Sequence, residues 1–155
     1  MDHVLTSRVW LARPREEVFA FFADPRNLPR ITPPWLRLRL LAPPPPMAAG
    51  AVLDYRIAWL GVPLRWRAVI REWEPPAGFV DVQVRGPYAR WEHRHRFVPD
   101  RGGTWVEDHV TYRLPFGALG RLVHARLVRR QLEAIWAYRR ARLAALLAPA
   151  LDAPP

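Results

Sequence analysis

The stretch Gly117–Leu147, GALGRLVHARLVRRQLEAIWAYRRARLAALL, constrains the fold more than any other. Leu119, Leu122, Val123, Leu127, Val128, Leu132, Ile135, Trp136, Leu143, Leu146 and Leu147 recur at steps of three and four, the spacing of one helix face. Good helix formers (Ala, Leu, Arg, Gln, Glu) fill the gaps and no Pro interrupts them. Pro115 and Gly117 stop the preceding element, and Pro149 ends the helix. At about 1.5 Å per residue the helix is roughly 45 Å long. Alone it has nothing to bury its apolar stripe against, so the rest of the chain must supply a surface.

That surface reads as a sheet. His3–Ala12 alternates as a first strand. Pro14 and Glu16-Glu17 then open a short apolar helix over Arg15–Ala23. A further helical turn is expected over Asn27–Ile31 with Asn27 as its cap. Trp35–Ala42 alternates Leu with Arg and reads as a strand with one wet face, and Pro43–Pro46 is a rigid connector. Strands follow over Ala51–Leu60, Val62–Trp73, Phe79–Arg85, Tyr88–Val98 and Thr104–Leu114, separated by short turns at Gly61, Pro75–Gly78, Gly86-Pro87 and Asp100–Gly103. Short turns imply antiparallel neighbours with one solvated face, to which the Arg-lined phases belong. The expectation is an α+β fold: a curved antiparallel sheet of about six to seven strands, one or two short helices after the first strand, and a long C-terminal helix against the sheet. Residues 1–148 form one domain, and 149–155 a disordered tail.

Composition narrows the chemistry. All 24 basic residues are Arg, Cys is absent, and Ser7 is the one serine. Schiff-base lysine, thiolate and serine-nucleophile chemistry are therefore excluded or disfavoured. No dinucleotide, phosphate-loop, zincin or calcium-loop motif occurs, so no cofactor is expected. The start lacks a signal peptide and no apolar run nears the roughly 20 residues of a membrane span, so a cytoplasmic protein is expected. The Arg, Ala, Pro and Leu bias fits a GC-rich genome, and scarce Asn, Gln, Met and Cys suit a thermophile.

The element order resembles the helix-grip fold of the START-like (SRPBCC) superfamily over about His3–Leu147. Ala12–Val18 (ARPREEV), Asn27–Trp35 (NLPRITPPW), Gly86–Phe97 (GPYARWEHRHRF) and Asp108–Leu119 (DHVTYRLPFGAL) are similar to a bacterial branch of it, alongside polyketide cyclases, dehydratases and coenzyme-Q-binding proteins. The resemblance implies a cavity between sheet and helix for a small hydrophobic or lipid-like ligand. A filled core is the competing reading, since protein interiors are close-packed.

Residues facing the helix are the candidate ligand contacts. From the sheet these are Tyr55, Ile57, Trp59, Trp66, Ile70, Gln83, Trp91, His93 and His95, with Val110 and Tyr112. Phe22, Ile31 and Trp35 form one rim, and Leu132, Ile135 and Trp136 the helix wall.

His93 and His95 fall in the same phase as Trp91 and Phe97, and Asp108 shares the phase of Val110. Two registers are open at Gly86-Pro87. A three-residue loop sets Asp81 opposite His93 and Gln83 opposite Trp91; a two-residue loop turns Val80, Val82 and Val84 to that face. The first is preferred because it pairs a buried carboxylate with a buried imidazole. The cluster can be a satisfied hydrogen-bond network, a ligand-orienting patch, or a general acid–base pair in which His93 or His95 moves a proton and Asp81 or Asp108 orients it. A metal is not expected, because only carboxylates are left to complete His-x-His.

Arg126, Arg129, Arg130, Arg139, Arg140 and Arg142 read as the solvated side of the helix, or as a surface for an anionic membrane or an acidic protein. No nucleic-acid motif accompanies them, so nucleic acid is not expected as a partner. The oligomeric state is open. Three functions compete: binding of a hydrophobic ligand, a cyclase, dehydratase or isomerase acting on an aromatic or polyketide-like substrate, and a protein-interaction module with a filled core.

Overall fold

The fold was taken from a computed structural model that describes residues 1–59, 61–115, 117 and 127–148. Strand β1 (His3–Leu11) leads into helix α1 (Arg15–Phe22), a 3-10 helix Pro25–Ile31 and a 3-10 turn Pro34–Leu36. Strands β2 (Arg39–Leu40), β3 (Val52–Trp59), β4 (Val62–Glu74), β5 (Gly78–Arg85), β6 (Arg90–Asp100) and β7 (Gly103–Arg113) follow, and then helix α2 (Arg129–Leu146). The strands form one seven-stranded sheet in the order β1-β7-β6-β5-β4-β3-β2, antiparallel throughout. Consecutive strands are neighbours except where β1 closes onto β7. The expected α+β helix-grip architecture is the one observed.

Two local expectations are corrected. The predicted strand over Trp35–Ala42 is mostly absent. Pro33-Pro34 starts a 3-10 turn, Arg37 ends it in the left-handed region at φ 45°, and only Arg39–Leu40 pairs with β3. Proline pre-sets the turn geometry and removes a ladder donor, which outweighs the Leu/Arg alternation. The second short helix is capped by Asp24, whose carboxylate accepts from Arg26 N at 3.0 Å, and not by Asn27. Asn27 instead donates its side-chain amide to the Phe21 carbonyl at 2.9 Å, tying this helix to α1. Of the predicted 117–147 helix, Leu119, Leu122, Val123 and Arg126 lie outside the described residues, as does the tail 149–155.

The outer face of the sheet carries cross-strand ion pairs, among them Arg67–Asp54, Arg71–Glu92, Arg94–Glu72 and Arg8–Glu107. Much of the Arg excess on the strands is thus matched by neighbouring carboxylates. The inner face buries two apolar groups. One joins Val18, Phe19 and Phe22 of α1 to Ile70, Phe79, Phe97 and Leu143. The other joins Trp66, Trp91, Val110 and Tyr112 to Leu132 and Trp136 of α2. Each such side chain contributes about 1.5–3 kcal/mol on burial. A bulge at Arg71, between the Ile70↔Asp81 and Glu72↔Val80 pairs, keeps Ile70 and Asp81 side by side.

Candidate functional site

Between the inner face of the sheet, the short helices after β1 and α2 a cavity of about 570 Å³ remains. Tyr55, Ile57, Trp59, Trp66, Ile70 and Trp91 line its sheet side, as the strand phases predict. Phe22 and Ile31 form a rim, and Leu132, Ile135 and Trp136 form the helix wall. The Trp59 indole N–H donates to the Gln131 side chain, linking β3 to the start of α2. At the rim, Thr32 Oγ1 donates to the Leu28 carbonyl at 2.7 Å, holding the 3-10 segment in shape.

Four of the predicted contacts are not on the wall. Trp35 is 51% exposed and packs edge-on against Tyr138, because the 3-10 turn that replaces the predicted strand carries it outward. Val110 and Tyr112 are buried in the layer behind the wall; Tyr112 lies against Trp91 with ring centroids 6.1 Å apart. Gln83 is spent on the hairpin: its amide donates to the Tyr88 carbonyl at 2.7 Å and its carbonyl accepts from Tyr88 N at 3.2 Å.

The preferred register is the observed one, with Asp81 opposite His93. On the other side of β6, His95 lies opposite Asp108 of β7. The two imidazoles therefore stand side by side, ring centroids 3.7 Å apart, between two carboxylates. His93 Nε2 is 2.8 Å from Asp108 Oδ1, and His95 Nε2 is 3.1 Å from Asp81 Oδ2. The remaining nitrogens complete the square: His93 Nδ1 is 3.7 Å from Asp81 Oδ2, and His95 Nδ1 is 3.2 Å from Asp108 Oδ1. Phe79 stacks on His95 at 4.1 Å and fixes its ring plane. Asp81, His93 and His95 open onto the cavity, while Asp108 lies beneath them.

Arg139 overturns the reading of the helix arginines as one solvated stripe. Only 7% exposed, it faces the cavity, with Nε 3.7 Å from Asp108 Oδ2 and its guanidinium over the Phe22 ring. Its signal is present in the sequence. Leu132, Trp136, Arg139 and Leu143, the four residues α2 buries, are spaced by four, three and four.

The electrostatics follow from the enclosure. Burial works against the charge on Asp108, but Arg139 and the bonds from His93 and His95 outweigh it and hold the carboxyl well below its usual range. Burial also opposes the charge on Asp81, but the His95 bond together with the charges of His93, His95 and Arg139 outweighs it, with the same downward result. Burial and the neighbouring His95 push His93 down. Burial opposes a proton on His95 too, but the bonds to Asp108 and Asp81 prevail and raise it. A proton on His95 neutralises what Arg139 leaves of the two carboxylates. Burial pushes the Tyr55 and Tyr88 hydroxyls up, so both stay protonated at the cavity wall.

A profile of the family described as polyketide cyclase / dehydrase and lipid transport matches residues 11–135. No curated protein matches the sequence. Solved structures share the fold at low identity. Protein CV1439 from Chromobacterium violaceum is 16% identical with TM-score 0.74, over 94% of this chain and 98% of that one. A START superfamily protein from Mycobacterium smegmatis is 16% identical with TM-score 0.68, over 93% and 99%. The di-domain ARO/CYC StfQ from the steffimycin biosynthetic pathway is 18% identical with TM-score 0.72, over 96% of this chain and 51% of that one.

Proposed function

This chain belongs to the polyketide cyclase/dehydrase and lipid transport family, and from that premise we propose that it binds a small, largely apolar molecule with an aromatic or lipid-like body in the cavity between sheet and α2. The cavity itself carries the reading. At about 570 Å³ it falls within the roughly 300–1,000 Å³ typical of small-molecule sites. Trp59, Trp66, Trp91 and Trp136 line it, and Asp81, His93, His95 and Arg139 form a charged cluster on its wall. An apolar body would lie against the indoles while one oxygen or nitrogen atom reaches the cluster. Burial in the cavity supplies the affinity, and the cluster sets which end enters first. The helix arginines Arg129, Arg130 and Arg142 would meet an anionic membrane or an acidic partner during delivery.

Native mass spectrometry of the purified protein, with organic extraction of what travels with it, tests this reading. The expected result is one apolar molecule per chain; a ligand-free mass that stays unchanged on adding aromatic and lipid probes would refute it.

A second reading is supported by the His95–Asp81 contact at the cavity wall. It makes the same site a cyclase, dehydratase or isomerase on an aromatic or polyketide-like substrate. His95 would pass a proton to or from the bound molecule, and Asp81 and Asp108 would hold its ring. Turnover that is lost in His95→Gln while ligand binding persists would establish it; binding without turnover in the wild type excludes it.

A further inference from the structure

We propose that Asp81, His93 and His95 form a binding site for a divalent transition metal of the zinc class, with its open coordination position facing the cavity. The site is defined by the positions of these three side chains, whichever organic molecule the cavity holds.

The imidazoles divide their nitrogens between two carboxylates. His93 Nδ1 and His95 Nε2 turn to Asp81 Oδ2, at 3.7 and 3.1 Å. His93 Nε2 and His95 Nδ1 turn to Asp108 Oδ1, at 2.8 and 3.2 Å. One ligating atom from each of Asp81, His93 and His95 lies within 4.8 Å of the other two. Metal–ligand bonds of about 2.0–2.1 Å in tetrahedral geometry place ligand atoms about 3.4 Å apart. The contacts to Asp81 fall on either side of that value, so small side-chain rotations bring the three atoms onto one ion.

Asp108 has the position of an outer-shell carboxylate. Metal-bound histidines generally donate their second ring N–H to such a group, which fixes tautomer and orientation. Here a single carboxylate meets the second nitrogen of both rings. It is itself held by Trp136 Nε1 at 3.2 Å and by Arg139. Asp108 does not line the cavity, whereas the three proposed ligands do. Three protein ligands with a fourth position open to a pocket is the arrangement of zinc sites that polarise a bound oxygen. The donor set, two imidazoles and a carboxylate without sulfur, suits Zn²⁺, Co²⁺ or Fe²⁺ better than Cu⁺ or Ca²⁺. On binding, any proton shared between His95 Nε2 and Asp81 leaves to solvent, and both atoms turn to the ion. The sequence argues against a metal because only carboxylates remain to complete His-x-His; the β5–β6 register sets one such carboxylate, Asp81, directly across from His93.

The test is a Co²⁺ titration of untagged, chelator-stripped protein without organic ligand, followed by visible absorption and calorimetry. One equivalent per chain is expected, with the absorption bands of four- or five-coordinate cobalt, displaced by Zn²⁺. Asp81→Asn and His95→Gln should weaken binding at least about 100-fold, and Asp108→Asn about 10–100-fold. His109→Gln, on the exposed face of β7, should leave it unchanged. A second measurement needs no variant to fold: in the wild type, Zn²⁺ should shift the side-chain ¹⁵N signals of His93 and His95 and spare His109. No cobalt uptake by the wild type, equal affinity in folded Asp81→Asn and His95→Gln, or unmoved His93 and His95 signals would each overturn the proposal and leave a hydrogen-bond network alone.

Discussion

Trp136 Nε1 donates to Asp108 Oδ2 across 3.2 Å, so the last helix and the last strand are joined at a buried carboxylate. Asp108 also meets His93 and His95 from β6, and Arg139 one helical turn beyond Trp136. Removing it leaves a buried guanidinium and two imidazoles without their shared acceptor. Asp108→Ala should cost about 3–5 kcal/mol, the range for breaking a buried charge pair from one side. Trp136→Phe keeps an aromatic ring but loses the donor and part of the indole volume, and should cost about 1–3 kcal/mol, less than Asp108→Ala. Urea unfolding of both variants checks the ordering; equal losses would mean that Asp108 acts only as a partner of Trp136.

The same cluster fixes how stability depends on pH. The groups facing His95 are Asp81, Asp108 and His93, with Arg139 behind Asp108. His95 is raised above its ordinary 6.5, so its contribution is full below that pH and is lost as pH rises through the folded value. His93 is lowered from 6.5, so the unfolded chain takes up its proton first and stability falls as pH drops below about 6.5. Asp81 and Asp108, both lowered from 3.8, stabilise above that value and lose their contribution as pH falls through their folded ones. Stability should therefore peak near neutrality. In folded variants, His95→Gln should flatten the alkaline side of the unfolding midpoint against pH, and His93→Gln the first part of the acid side. A wild-type profile that keeps rising through pH 8 would contradict the role given to His95.

Strand order and the helix were legible because they rest on periodicity that survives packing. Leu64, Trp66, Ala68 and Ile70 alternate with Arg65, Arg67 and Arg71, and no competing force reverses that phase. The Asp81–His93 pairing was legible for a similar reason, since a buried imidazole needs a polar neighbour. Trp35 was not, because the turn geometry set by Pro33-Pro34 displaces it, and alternation over Leu36, Leu38 and Leu40 reads the same in either case. Arg139 was missed because charge was weighed above position. Its place in the Leu132–Trp136–Leu143 stripe predicts burial, and a buried Arg demands a carboxylate such as Asp108.

Gly78 faces the His95 backbone across β5 and β6. A Cβ there would collide with the His95 carbonyl oxygen, a backbone atom that cannot swing aside. Gly78→Ala should destabilise by about 1–3 kcal/mol, as overpacking does, even though alanine restricts the unfolded chain. It should also displace His95 from Asp81, three residues along the same strand. The His95 ring signals should move in this variant and not in Gly50→Ala, where nothing lies within 4 Å of the added carbon and the strain comes only from φ +88°. Unchanged stability in Gly78→Ala would show that β5 and β6 separate easily.

Ala68 distinguishes an open cavity from a packed core. It is 2% exposed, on β4 between Trp66 and Ile70, and its methyl group faces the cavity. In a filled interior, Ala68→Phe would force neighbours off their rotamers at a cost of about 1–3 kcal/mol. In this fold the added ring has room, and it meets Trp and Leu side chains that otherwise lack partners on that side. The urea midpoint should therefore hold or rise. Binding of an anilinonaphthalene sulfonate probe, which needs the same space, should weaken about tenfold, or about 1.4 kcal/mol. A lowered midpoint with unchanged probe binding would mean that the sheet and α2 close on each other in solution and that the probe sits elsewhere.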